Sequence, residues 1–137
     1  MMPNPSVLIG LRGNDPQDLD VRDRLTGWVR HLGYEPAVAD DGPTALAWAQ
    51  ERPFVASLLD CGVEAEGGIQ VWRSVHPVLG RRLVLMVREA RRDVWFEALC
   101  RGVGAVLPLP ARERMVKAAL HAATGDEIPP CTGARYV

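Results

Sequence analysis

The chain has 137 residues, of which 47% are hydrophobic and 24% are charged, and its formal net charge is −1. This composition is ordinary for a globular protein, and the length suits one domain with a proper hydrophobic core. The small net charge gives no electrostatic reason to expect nucleic acid or a membrane surface as a partner.

The cysteine content and the N-terminal sequence indicate the cellular compartment of the protein. Cys61, Cys100 and Cys131 are an odd number without a CxxC pair. This favours reduced thiols in a cytoplasm over a disulfide framework or a zinc site. Two early prolines and the lack of a long apolar run argue against a signal peptide or a membrane anchor. We therefore predict a cytoplasmic protein with no membrane attachment.

Five strand–helix pairs are predicted along the chain. Apolar runs predict strands at 7–11, 34–39, 55–60, 82–87 and 104–107. Helical periodicity and capping residues predict helices from about 15–18 to 32, 43–52, 69–75, 91–101 and 111–123. His76-Pro77 is expected to end the third helix, because the residue before a proline disfavours the helical region. Val94, Trp95, Ala98 and Leu99 are expected on the inner face of the fourth.

This alternation predicts an α/β fold, a five-stranded parallel sheet of order 2-1-3-4-5 with helices on both faces. Strands 1, 3 and 4 have the most continuous apolar runs, so they belong in the middle of the sheet. Pro36 favours an edge position for the second strand. We assign residues 1–124 to one domain. Residues 125–137 have no periodicity and two adjacent prolines, which indicates a tail, either disordered or a linker remnant.

Asp60 is the main candidate functional residue. It follows a third strand that is apolar or small at every position, which is typical of a strand buried on both faces. It therefore lies at the carboxyl edge of the sheet, where ligands of open α/β folds collect. Three roles stay open for it: a cap of the loop before Ile69, a structural partner of an arginine, or a phosphoacceptor.

The chain resembles the receiver domains of bacterial response regulators (CheY-like) from about Ser6 to Ala123. The features that carry the resemblance occur in order at matching positions of the five strand–helix pairs. They are Gly33-Tyr34, Asp41-Gly42, Asp60, Gly68, the stretch from Gly102 to Leu107, and Pro108-Leu109-Pro110.

The resemblance implies a phosphotransfer site, and most of its parts are replaced here. The family's acidic pair, which holds Mg²⁺ with the aspartate, falls at Leu11 and Arg12. Its hydroxyl residue falls at Val87 and its lysine at Leu109, while the usual aromatic residue of the fifth strand falls at Val106. One carboxylate is a poor Mg²⁺ site. We therefore expect a degenerate pseudo-receiver with no cofactor, and Mg²⁺ only if phosphorylation is retained.

Two alternatives concern the surroundings of Asp60. The first loop is longer than is typical of the family, so Asn14 and Asp15, or Asp18, could fold back and supply one acid. Alternatively, Arg12 or Arg88 could pair with Asp60 and replace both the metal and the lysine in a forked geometry.

Three hypotheses about the function stay open. The first is a signalling domain that binds a protein partner or a second copy, without catalysis. Receiver domains commonly do so through the fourth helix, fifth strand and fifth helix, which makes Trp95, Phe96, Arg112 and Arg114 the interface candidates. The second is an atypical response regulator phosphorylated on Asp60. The third is a small flavodoxin-like enzyme or nucleotide binder, which has no supporting catalytic group beyond Asp60.

Overall fold

The computed structural model describes residues 5–12, 15–65, 67, 69–88 and 92–125. Five strands and five helices alternate along the chain. The strands are β1 (Ser6–Gly10), β2 (Glu35–Ala39), β3 (Ala56–Asp60), β4 (Leu83–Val87) and β5 (Ala105–Pro108). The helices are α1 (Pro16–His31), α2 (Gly42–Glu51), α3 (Val71–Leu79), α4 (Arg92–Arg101) and α5 (Glu113–Thr124).

The five strands form one parallel sheet in the order β2-β1-β3-β4-β5, which confirms the predicted order. β3 is central, and every one of its residues is buried. Asp60 is its last residue and pairs in register with Met86 of β4. The carboxyl ends of β1 and β4 therefore flank Asp60, as the parallel topology requires.

Two apolar cores cover the faces of the sheet. Alternate residues of a strand point to opposite faces, so Val7 and Ile9 pack in the core of α1 and α5, and Leu8 packs in the other. The second core contains Trp72 of α3 and Val94 of α4. None of the described helices is both long and apolar enough to cross a membrane.

Side-chain caps fix the starts of the first two helices. The Asp15 carboxylate accepts a 2.9 Å hydrogen bond from the Asp18 amide at the start of α1. Asp41 accepts a 2.7 Å bond from the Thr44 amide at the start of α2. Hydrogen bonding to Thr44 lowers the pKa of the Asp41 carboxyl. Both contacts satisfy amides that have no partner within the helix.

The connection after β3 differs from the prediction. The helix expected from residue 69 begins at Val71, because Ile69 and Gln70 pair antiparallel with Glu64 and Ala65 in a short hairpin. Ile69, expected to begin that helix, is 52% exposed. Backbone pairing with Glu64 and Ala65 therefore takes the place of the predicted first helical turn.

The predicted end of the third helix at His76-Pro77 is also wrong. α3 continues through Pro77 to Leu79. A proline inside a helix removes one backbone hydrogen bond and costs about 3 kcal/mol. Buried side chains on both sides of it, among them Val75 and Leu79, offset that cost by packing in the core.

A close backbone contact holds the hairpin against α2. A Cβ atom at Gly42 would lie 1.9 Å from the Glu64 carbonyl oxygen. We expect Gly42→Ala to lower the free energy of unfolding by about 1–3 kcal/mol, as overpacking does, measured by urea denaturation. Gly27→Ala is the matched control, because nothing lies within 4 Å of its Cβ position. In mid-helix it should raise stability by about 0.5–1 kcal/mol. Equal stability of both variants would contradict the tight contact.

Candidate functional site

Asp60 is almost completely buried at the carboxyl edge of the sheet, with 1% of its surface exposed. Both of its carboxylate oxygens accept hydrogen bonds. Oδ1 accepts a bond of 2.9 Å from the Gly62 amide, and Oδ2 accepts one of 3.1 Å from Arg88 Nε. Each oxygen of the carboxylate therefore has a hydrogen-bond donor within the protein.

Arg88 joins Asp60 to a second buried acid. It is the first residue after β4, and its Nη2 donates a short hydrogen bond to Oδ1 of Asp18. Asp18 lies in the first turn of α1 and is 2% exposed. One guanidinium thus bridges two buried carboxylates, and it links the ends of β3 and β4 to the start of α1.

The surroundings keep Arg88 charged. Partial burial works to lower the pKa of Arg88, but the attraction of Asp60 and hydrogen bonds to Asp60 and Asp18 outweigh it, so the pKa is raised above its ordinary value. The bonds to both acids are charge-assisted. Removing one member of such a buried ion pair is costly, since it leaves an uncompensated charge in the interior.

The other predicted site positions carry apolar side chains, except for Arg12, whose side chain is exposed. Leu11 and Val87 are buried, at 7% and 2% exposure, and Leu109 packs against the core of α1 and α5. Arg12 is exposed, and its Cδ would lie 2.5 Å from a Cβ at Gly62. Among the described residues it makes no ion pair with Asp60. The expectation that Arg12 or Arg88 pairs with Asp60 is therefore met by Arg88.

The acid that reaches the site is Asp18, whereas Asp15 caps α1 and is exposed. The sequence named both as candidates, but it did not distinguish them. Asp18 follows β1 by eight positions, and only the packing of α1 against the sheet shows that it is buried. Gly68, part of the family pattern, lies outside the described residues.

The residues present do not fit a bound Mg²⁺ ion. A hard divalent cation needs several oxygen ligands, usually more than one of them anionic. Both buried carboxylates already accept hydrogen bonds from Arg88. In the part of the chain that the structure describes, no group of three or more His, Cys, Asp or Glu side chains could hold a metal.

A second feature is an apolar surface on α4. Trp95, Phe96 and Leu99 are 36%, 73% and 55% exposed. The inner-face prediction is correct for Val94 and Ala98 but wrong for Trp95 and Leu99. β5 is the edge strand of the sheet, so no further strand covers this flank of α4.

A groove of about 400 Å³ separates that flank of α4 from α5. Its floor is β5, including Val106, and its walls include Trp95, Leu99, Met115 and Ala118. The other two predicted interface residues, Arg112 and Arg114, are exposed where α5 begins.

Comparison with known proteins identifies the fold. No protein-family model matches the sequence, and no curated protein matches it. Among solved structures, a CheY-like receiver domain protein from Methanospirillum hungatei JF-1 has a TM-score of 0.71 at 19% identity. That match covers 90% of this chain and 99% of that one. The chain has the fold of a response regulator receiver domain.

Two other solved structures show how widely this receiver fold occurs. One is the receiver domain of a Pseudomonas aeruginosa PAO1 sensor histidine kinase, with a magnesium ion in its active site cleft. It has a TM-score of 0.68 at 20% identity, over 90% of this chain and 99% of that one. The other is an adenylate cyclase from Rhodopirellula baltica, with a TM-score of 0.71 at 20% identity, over 89% and 88% of the two chains. At these identities the likeness is one of fold.

The bridge between the two acids predicts a large effect of Arg88→Ala. Because both carboxylates would stay buried without their cation, we expect the free energy of unfolding to fall by about 3 kcal/mol, measured by urea denaturation at neutral pH. Arg24→Ala is the matched control: its ion pair with Asp20 is exposed, and its loss should cost less than about 0.5 kcal/mol. A small, equal loss in both variants would contradict the structural role of Arg88.

Proposed function

We propose that this chain is a receiver-like signalling domain that binds a protein partner or a second copy of itself and does not transfer a phosphoryl group. The observation that carries the proposal is the guanidinium of Arg88, which bridges the two buried acids of the site. It provides a permanent positive charge where a phosphotransfer site needs an exchangeable metal ion.

The chemistry of an acyl phosphate supports this proposal. A phosphoryl group on Asp60 would need positive charge and hydrogen-bond donors around its oxygens. The side chains at the family's hydroxyl and lysine positions are Val87 and Leu109, which offer neither. Each missing charge-assisted contact is worth about 1.5–3 kcal/mol. Losing two or more of them would lower the rate or the lifetime of the phosphorylated state by orders of magnitude.

The exposed aromatic surface of α4 supports the binding part of the proposal. Large exposed aromatic side chains are typical anchors of protein interfaces. α4 is also linked to α3, because Glu97 accepts a hydrogen bond from Arg73 at 2.6 Å. Phe96 and Trp95 are therefore presented on a helix whose buried residues, Val94 and Ala98, pack in the core. The reduced-thiol pattern supports a cytoplasmic location.

One observation favours the second candidate, a response regulator phosphorylated on Asp60. Asp18 places a second buried carboxylate near Asp60 through their shared arginine, which a metal ion could use if Arg88 moved away. The Arg88 side chain is 27% exposed, so it has a route to solvent.

Incubation with acetyl phosphate and Mg²⁺, followed by intact mass measurement, separates the two candidates. We expect no phosphoryl adduct on the native chain, because Arg88 occupies both acids. Asp60→Asn is the matched control for adducts formed elsewhere. An adduct present on the native chain and absent from that variant would overturn the proposal in favour of the second candidate.

The interface is tested by alanine at the two aromatic positions. We expect Phe96→Ala and Trp95→Ala to weaken self-association or partner binding at least tenfold, since buried aromatic anchors contribute about 2 kcal/mol or more. Sedimentation velocity over a concentration series measures self-association. Val78→Ala is the control, because Val78 is a 45% exposed apolar residue on α3. An equal effect of all three variants, or none, would exclude this face.

A further inference from the structure

We propose that Arg12 is a second closing residue of the site, whose carbon chain covers the Oδ1 side of Asp60 while Arg88 occupies Oδ2. This role rests on the proposed function, because an acid closed from two sides is out of reach of a phosphoryl donor and of a metal ion.

The side chain of Arg12 lies directly on Gly62. A Cβ atom at Gly62 would be 2.5 Å from Arg12 Cδ and 3.1 Å from Arg12 Cγ. The same Cβ would be 3.4 Å from Oδ1 of Asp60. The carbon chain of Arg12 and the Oδ1 atom are therefore close neighbours of one point in the loop after β3.

The register of the sheet brings these two loops together. Gly10 and Leu59, near the carboxyl ends of β1 and β3, are paired. Arg12 and Gly62 follow that pair within a few positions, so both lie at the same edge of the sheet. Leu11 is buried in the core of α1 and α5, which anchors the chain directly before Arg12.

The exposure of the residues is that of a cover over a buried group. Arg12 is exposed, Gly62 is half-buried and Asp60 is almost completely buried. Gly62, the residue under the Arg12 side chain, donates the 2.9 Å hydrogen bond from its amide to Oδ1 of Asp60. An arginine suits this position, because its carbon chain can lie on the protein surface while its charge stays in water.

The contact also accounts for glycine at position 62. Gly62 does not have a positive φ, so its backbone conformation is open to other residues. The obstacle to a larger side chain is therefore the carbon chain of Arg12. Gly62 and Arg12 are matched to each other across two loops.

Charge favours a second cation beside the site. Asp18 and Asp60 are two buried acids that share one guanidinium, that of Arg88. Together these three side chains have an excess of one negative charge when both acids are ionised. This excess attracts the Arg12 guanidinium at longer range, although no ion pair joins Arg12 to Asp60 among the described residues.

A double-mutant cycle in the full chain tests the contact. Gly62→Ala should lower the free energy of unfolding, measured by urea denaturation, because the new Cβ clashes with the Arg12 side chain. In an Arg12→Ala background the same change should cost severalfold less, since the carbon chain is gone. Equal costs in the two backgrounds would overturn the contact.

Amide hydrogen exchange of Gly62, followed by NMR, tests the cover. We expect Arg12→Ala to speed this exchange severalfold, because solvent then reaches the amide more easily. Arg12→Met is the matched control, since it keeps a long side chain without the charge and should preserve the protection. The Val71 amide, which donates to the Val63 carbonyl at 3.0 Å, should exchange at the same rate in all three proteins.

Three outcomes would overturn the covering role of Arg12. They are unchanged exchange of Gly62 in Arg12→Ala, equal acceleration in Arg12→Met, and acceleration of Val71 together with Gly62. Its failure is distinct from that of the proposed function. If the native chain forms no adduct with acetyl phosphate but Arg12→Ala leaves Gly62 protected, Arg88 alone closes the site. If the native chain forms an adduct on Asp60, the proposed function fails whatever the exchange of Gly62 shows.

Discussion

The contact on which the rest of the site depends is the pairing of one guanidinium with two buried carboxylates. Asp60 lies on β3, Arg88 follows β4, and Asp18 lies on α1. Each carboxylate would be expensive to bury alone. Arg88 compensates the charge of both carboxylates. The packing of α1 against the sheet and the conformation of the chain after β4 therefore depend on the same side chain. An arginine suits this role better than a lysine, because its planar fork can donate to two acids at once.

Much of the fold could be predicted from the sequence, because β1, β3 and β4 lie in runs of apolar or small residues. A strand of this kind belongs in the middle of a parallel sheet, and this placed Asp60 at the carboxyl edge. Pro36 in the same way indicated the edge position of β2. These inferences depend on local patterns, and the structure agrees with each of them.

The features that the sequence did not predict depend on contacts between distant residues. Asp18 resembles any acid in the first turn of a helix, and its burial follows only from how α1 packs. Pro77 predicts a helix end, but the core around Val75 and Leu79 overrides that preference. Leu99 has the spacing of a core residue, yet α4 lies over an edge strand and leaves Leu99 exposed. In each case the tertiary environment decides against the local rule.

The hairpin after β3 connects Asp60 to α3 and is held by backbone contacts. It is braced on both sides: the Val71 amide donates to the Val63 carbonyl at 3.0 Å, and Gly42 lets α2 approach the backbone of Glu64. A side chain larger than glycine at position 42 would therefore push α2 away from the hairpin and loosen the connection between Asp60 and α3.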